Sequence, residues 1–190
     1  MAPLVGVLAL QGGFAAHVAL LRELGAEVRE VRVAADLDGL DGLVLPGGES
    51  TTMTLGIDRE GLAGPLSALV RAGAPVLGTC AGLIMLDREH LGLMDIVARR
   101  NAFGRQIRSF EADLDLPGLD DPVHAVFIRA PWIEEHGPGV EILASVDGHP
   151  VAAREGDIVV VAFHPELSGE RRLHEQFLGR VRERVAARSA

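Results

Sequence analysis

The chain has 190 residues, 48% of them hydrophobic and 24% charged, and carries a formal net charge of -9. That length and balance suit one globular domain with a substantial core, and the acidic total, with no basic stripe beneath it, argues against a nucleic-acid partner. A single cysteine excludes an internal disulfide; with no uninterrupted apolar segment of bilayer length and no charged leader pattern, no membrane is expected and the cytoplasm is the expected location.

Residues 4–10 form a nearly continuous apolar run, the pattern of a strand buried on both faces of a parallel sheet. Apolar residues then recur at Phe14, Val18, Leu21 and Leu24 before Gly25, which predicts a helix with a glycine close. Short strands follow at residues 27–33 and 43–45, then a Pro46-Gly47-Gly48-Glu49-Ser50-Thr51-Thr52 turn, a helix over 62–72, and a strand at 75–77. Beyond Arg88 the rhythm changes to short β-like runs at 93–98, 123–128, 140–146, 150–153 and 158–163, which predicts an antiparallel section added to the sheet. Residues 99–105 form a dense polar loop, whose bland reading is a solvated charge cluster, and residues 111–121 read as an acidic, exposed connection. The closing residues 168–187 carry an amphipathic stripe at Leu173, Phe177, Val181 and Val185, with Ser168 as the expected N-cap. The expectation is one α/β domain over residues 1–190, without linker or repeat.

Chemistry concentrates at three places. Gly78-Thr79-Cys80-Ala81-Gly82 lies between an apolar strand pattern and an apolar helix pattern, the arrangement of a nucleophile elbow with cysteine in place of serine. Its glycines suit close backbone approach or positive φ, and a following helix N-terminus favours a thiolate. The competing reading is a buried structural cysteine. The Pro46-Gly47-Gly48 turn can aim backbone N–H groups at an anion, so Gly47 or Gly48 together with Ala81 are candidate oxyanion donors. Finally, the last strand runs into His164-Pro165-Glu166, where proline biases His164 towards extended backbone and places residues 164 and 166 on one side. Of the seven histidines, only His164 ends an apolar strand and has a carboxylate two residues on. His17, His90, His124, His136, His149 and His174 read as solvated or structural. Cys80, His164 and Glu166 therefore fill the roles of nucleophile, base and orienter. No second Cys or His stands at short ligand spacing from them, so no metal is expected.

Taken together, Gly6-Val7-Leu8-Ala9-Leu10-Gln11-Gly12, Pro46 to Thr52, Gly78 to Gly82, Arg100-Asn101-Ala102-Phe103-Gly104-Arg105-Gln106, Phe127-Ile128-Arg129-Ala130-Pro131 and Phe163-His164-Pro165-Glu166-Leu167 resemble the glutaminase subunits of pyridoxal 5'-phosphate synthase, within the class I glutamine amidotransferases. The resemblance implies a three-layer α/β sandwich, flavodoxin-like, with a mixed sheet. It implies glutamine hydrolysis by Cys80, His164 and Glu166, with Gly48, Glu49, Ser50, Arg100, Ile128 and Arg129 contacting L-glutamine, and it replaces the bland reading of the arginine loop. By the same resemblance, Gln11 is an interface candidate and ammonia passes to a separate synthase subunit in a large hetero-oligomer of twelve copies of each. That partner is also expected to orient the oxyanion donors. The chain contains no lysine, so it cannot hold pyridoxal phosphate as a lysine Schiff base; that compound is then the product of the complex, and no cofactor is expected. The alternatives are the glutaminase subunit of another amidotransferase, such as the one feeding imidazole glycerol phosphate synthesis, a non-catalytic regulatory module on the same fold, and a stand-alone cysteine peptidase.

Overall fold

The computed structural model describes residues 2–103 and 109–189; Gly104, Arg105 and Gln106 of the arginine loop lie outside them. The opening half follows the apolar pattern. Strand β1 (Leu4–Leu8) leads through helix α1 (Phe14–Glu23) to β2 (Glu27–Val31) and β3 (Gly42–Leu45). Helices α2 (Ser50–Arg59) and α3 (Ala63–Arg71) precede β4 (Val76–Thr79) and the short helix α4 (Ala81–Leu86). The second half supplies β5 (Ile96–Arg99), β6 (Ser109–Leu114), β7 (Val123–Ile128), β8 (Trp132–His136), β9 (Glu141–Val146), β10 (His149–Glu155) and β11 (Ile158–Val161), before helix α5 (Arg172–Ser189).

Seven strands form one mixed sheet in the order β2-β1-β3-β4-β11-β10-β9. The five from β2 to β11 run parallel, while β10 and β9 add the expected antiparallel section. Because strand side chains alternate between faces, β1 sends Val5 and Val7 to one layer and Leu8 to the other. Helices α1 and α5 cover the first layer through Val18, Leu21, Phe177 and Val181. Helices α2, α3 and α4 cover the second, through residues such as Met53, Ile57, Leu66 and Leu83. The result is the expected three-layer α/β sandwich. No helix of the described residues is long and apolar enough to cross a membrane.

Three expectations need correction. Two of the second-half strand pairs, β5 with β8 and β6 with β7, stand as separate two-stranded sheets and do not extend the main one. Residues 111–114, read as part of an exposed connection, belong to β6, where they alternate between exposed and inward positions and end on buried Leu114. Helix α5 begins at Arg172, so Ser168 is not its N-cap; the Ser168 hydroxyl donates to the Pro165 carbonyl at 3.3 Å, and Glu170 accepts from the Arg172 N–H at 2.8 Å. Proline at 165 favours the tight turn over residues 165–169, which takes up the serine before the helix starts.

Candidate active site

The elbow forms where β4 ends. Cys80 N–H donates to the Val161 carbonyl at 2.8 Å, tying the turn to the neighbouring strand β11, and the chain then enters α4 at Ala81. The positive φ sits on Cys80 itself, at 49°, and not on either flanking glycine. The glycines are required for packing. A Cβ at Gly82 would run into the Leu45 carbonyl oxygen of β3, and one at Gly78 would lie 2.8 Å from a Leu86 methyl and 3.1 Å from the Gly82 backbone. The thiol is nearly enclosed, 7% exposed, so burial alone does not separate the structural from the catalytic reading.

His164 arrives from the end of β11, and its N–H donates to the Val126 carbonyl of β7 at 2.9 Å, which fixes the backbone beside the elbow. Its Nδ1 lies 2.8 Å from Glu166 Oε1. The two side chains do meet, through the turn that follows Pro165 rather than along an extended strand. Gly47 packs directly over this pair: a Cβ there would collide with the His164 ring and approach Cys80 Cβ to 3.3 Å. Burial works against charge on His164, but hydrogen bonding to Cys80 and to Glu166 outweighs it and raises the imidazole to about 10, from 6.5. Burial likewise works against the Glu166 carboxylate, yet the hydrogen bond to His164 holds it below its usual range. The arrangement favours an imidazolium beside the sulfur with an ionised carboxylate behind it.

A cavity of about 210 Å³ opens above the sulfur. Cys80, His164 and Ala81 form its floor, Gly48, Glu49 and Ser50 one wall, and Arg100, Ile128 and Arg129 the other. All of the expected substrate-contacting residues thus line one pocket. Gly47 and Gln11 do not line it but support its wall: Gly47 O accepts from Gly13 N–H at 3.0 Å, and Gln11 Nε2 donates to Glu49 O at 2.9 Å. Glu49 also accepts the Thr52 N–H at 2.8 Å, capping α2, and this bond holds its carboxyl below the usual range. Asn101 and Arg129 share the rarely populated positive φ, at 48° and 44°, so strained backbone collects around this cavity. The volume lies below that of drug-sized sites and suits a small metabolite, with guanidinium groups available for a carboxylate.

Residue-by-residue reading missed Asn101, Ile84 and Pro131, which also line the pocket. Asn101 and Pro131 lie inside the quoted motifs, and Ile84 follows Ala81 at helical spacing, so the signal was present. His17 and His174, read as solvated or structural, are fully buried, His17 3.4 Å from Glu166 and His174 against His17, so the structural of the two readings holds for both. His17 falls between Phe14, Val18 and Leu21 on the apolar stripe of α1, a pattern that predicts burial. Among the described residues no group of three or more His, Cys, Asp or Glu side chains is placed to hold a metal ion.

Residues 7–183 match the SNO glutamine amidotransferase family. The chain belongs to that family. The pyridoxal 5'-phosphate synthase subunit PdxT of Mycobacteroides abscessus is 53% identical over 96% of this chain and 99% of its own length. A crystal structure of a glutamine amidotransferase superposes with a TM-score of 0.87 at 44% identity, over 93% of this chain and 98% of that one. A putative GMP synthase protein from Thermoplasma acidophilum, at 20% identity and a TM-score of 0.77 over 100% of this chain and 99% of its own, shares the fold. As a glutamine amidotransferase the chain is an enzyme whose reaction begins at a carboxamide.

Proposed function

We propose that this chain is the glutaminase subunit of a pyridoxal 5'-phosphate synthase, acting in the cytoplasm as one domain over residues 1–190. It hydrolyses L-glutamine to L-glutamate and ammonia and hands the ammonia to a synthase subunit within a large assembly of twelve copies of each. The family membership and the names of the PdxT relatives support this reading. The observation that carries the chemistry is the 2.8 Å contact of His164 Nδ1 with Glu166 Oε1 beside a cysteine held at a strained elbow.

In this reading Cys80 thiolate attacks the side-chain amide carbon of glutamine, and the carbonyl electrons move onto oxygen. The oxyanion is met by the Ala81 N–H, free as the first of α4, and by the Gly47-Gly48 segment. Since Gly47 O is engaged by Gly13, the Gly48 N–H across the same trans peptide points away from Gly13. His164 imidazolium gives its proton to the departing nitrogen, the C–N bond breaks, and ammonia leaves a glutamyl thioester. Neutral His164 then takes a proton from water, whose oxygen attacks the thioester carbon, and collapse releases glutamate and the thiolate. Glu166 holds the imidazole in one orientation throughout. Arg100 or Arg129 takes the α-carboxylate through a planar fork. The synthase subunit stimulates turnover through the Gln11-supported loop at Gly47-Gly48.

Ammonia release from glutamine, measured with and without the synthase subunit, for the purified chain and for Cys80→Ala, tests the reading. Weak activity alone, strong stimulation by that partner and none in the variant are expected. Stimulation instead by a histidine-pathway synthase, or activity that survives Cys80→Ala, would overturn it.

A further inference from the structure

Behind the carboxylate of Glu166 lies a second pair of imidazoles that the reaction above does not use. His17 of α1 and His174 of α5 are both fully buried, with His17 Nδ1 2.8 Å from His174 Nε2. The other nitrogen of His17 lies 3.4 Å from Glu166 Oε2 and 3.2 Å from the Thr79 hydroxyl of β4, the residue before the elbow cysteine. Strand β4 and helix α5 thus meet at His17 of α1, which faces the oxygen of Glu166 that His164 does not touch. That oxygen has no hydrogen-bond partner among the described residues; the His17 nitrogen is within ion-pair distance but off the line of a hydrogen bond.

The proton positions follow from which groups can accept. A carboxylate only accepts, so a bare lone pair on His17 Nε2 would face the charge of Glu166 and repel it; the proton belongs on Nε2. In a neutral ring Nδ1 is then bare and accepts from His174 Nε2–H. This leaves His174 Nδ1 as a lone pair, and it is the other buried polar atom without a partner. The reverse assignment would bury an N–H at that atom with no acceptor and also turn a lone pair on the carboxylate, two penalties in place of one. A doubly protonated His17 would compete with His164 for the single charge of Glu166. Burial disfavours that form in both rings, and holds His174 at about 3.

We infer that His17, backed by His174, is a positioning residue for Glu166: a neutral imidazole pair whose Nε2–H, shared with the Thr79 hydroxyl, lies beside the carboxylate, steadies its plane and leaves its charge to His164. The inference rests on the reading of Cys80, His164 and Glu166 as the reacting set. The titratable groups facing His17 are Glu166 and His164 from the segment after β11 and His174 from α5, while β4 contributes the uncharged Thr79.

Glutamine and asparagine in place of His17 separate this role from mere filling, because a glutamine amide reaches the position of Nε2 and an asparagine amide only that of Nδ1. In the complex with the synthase subunit, His17→Asn is expected to lower kcat about 10–100-fold with KM within about twofold, as expected of a small misplacement of the catalytic base. It is also expected to move the alkaline limit of kcat/KM down by about one pH unit, because a loosened Glu166 no longer stabilises the proton on His164. His17→Gln is expected to restore both. Two readouts do not depend on turnover: the imidazole nitrogen NMR signature of His17 in the wild-type chain, expected to be the neutral Nε2–H tautomer at neutral pH, and the pH dependence of iodoacetamide alkylation at Cys80, the only cysteine, expected to shift in His17→Asn and not in His17→Gln. A His17→Asn protein with unchanged kcat and pH limit, a His17→Gln protein as impaired as His17→Asn, or a His17 that is cationic or protonated only on Nδ1 would overturn the inference. Absence of glutaminase activity in the wild type would instead remove the functional reading, and the two spectroscopic and alkylation readouts would still decide the role of His17.

Discussion

Arg100 Nη2 donates to Glu49 Oε1 at 3.0 Å and to the Thr51 hydroxyl at 3.2 Å, joining the loop after β5 to the first turn of α2 across the mouth of the pocket. Both partners are about half exposed, at 45% and 46%, so the pair adds little to stability and is easily exchanged for a substrate carboxylate. Arg100→Ala is therefore expected to raise KM for glutamine about 10–100-fold, the worth of a charge-assisted fork, with a much smaller change in kcat. Its melting temperature should stay within a degree or two of wild type, as for loss of an exposed ion pair. Steady-state kinetics and a thermal melt check this, and a kcat defect without a KM defect would count against a binding role.

Gly47 leaves no room for a side chain above His164. A methyl group there would meet the imidazole ring and sit 3.3 Å from Cys80 Cβ, so either the ring or the Gly47-Gly48 loop has to move. Gly47→Ala is expected to lose about a hundredfold or more in kcat, as a displacement of roughly 1 Å in a catalytic base does. The circular dichroism spectrum should be unchanged, since Gly47 lies in a loop between β3 and α2. Wild-type turnover in that variant would mean that the loop does not sit over the reacting atoms.

The φ of 49° and ψ of -104° at Cys80 lie where side chains rarely go. Strain of this kind amounts to about 1–3 kcal/mol and glycine relieves it. Cys80→Gly should therefore be more stable than Cys80→Ala by about 1 kcal/mol, the reverse of their usual order, while both lack activity. Denaturant unfolding of the two variants measures the difference. Equal stability, or alanine ahead, would show that the elbow is not strained.

The buried imidazoles also set an acid limit on stability. His174 has its folded value pushed from 6.5 to about 3 by burial and by the proximity of His17, and His17 is lowered too. For a depressed histidine the unfolded chain binds protons that the folded chain cannot, so stability falls as pH drops below 6.5, by up to about 1.4 kcal/mol per pH unit for each ring. Glu166, lowered from 4.5, adds its own loss only below that pH, which leaves the interval between 6.5 and 5 to the histidines. His164 has the opposite sign: raised from 6.5 to about 10, its contribution is complete below 6.5 and disappears as pH climbs towards 10. Stability measured by denaturant unfolding should peak near pH 6.5, and His174→Gln should flatten the acid side alone. An unchanged acid slope in that variant would place the buried charge penalty elsewhere.

Much of this molecule is written in local pattern. The apolar run of β1, the stripe of α1 and the glycine-flanked Cys80 are read from neighbours in the chain, because strand burial, helix periodicity and a tight turn depend on residues a few positions apart. The same is true of His164 and Glu166, whose contact spans only two residues. Helix α2 escaped that reading because its sequence, STTMTLGIDR, is polar, and it is held by the Glu49 cap and by packing of Met53 and Ile57. Strand β6 escaped because acidic residues occupy the outward positions of a strand defined only by its pairing with β7.

Cys80, His164 and Glu166, with the likeness of the surrounding motifs to glutaminases, could be read from the sequence alone. Only the tertiary structure decided that the positive φ falls on Cys80, that Arg100 reaches Glu49, and that His17 and His174 meet behind Glu166. These last contacts join residues 51 and 157 positions apart. No periodicity specifies such pairs, because they exist only once the chain has folded and brought distant loops and helices together.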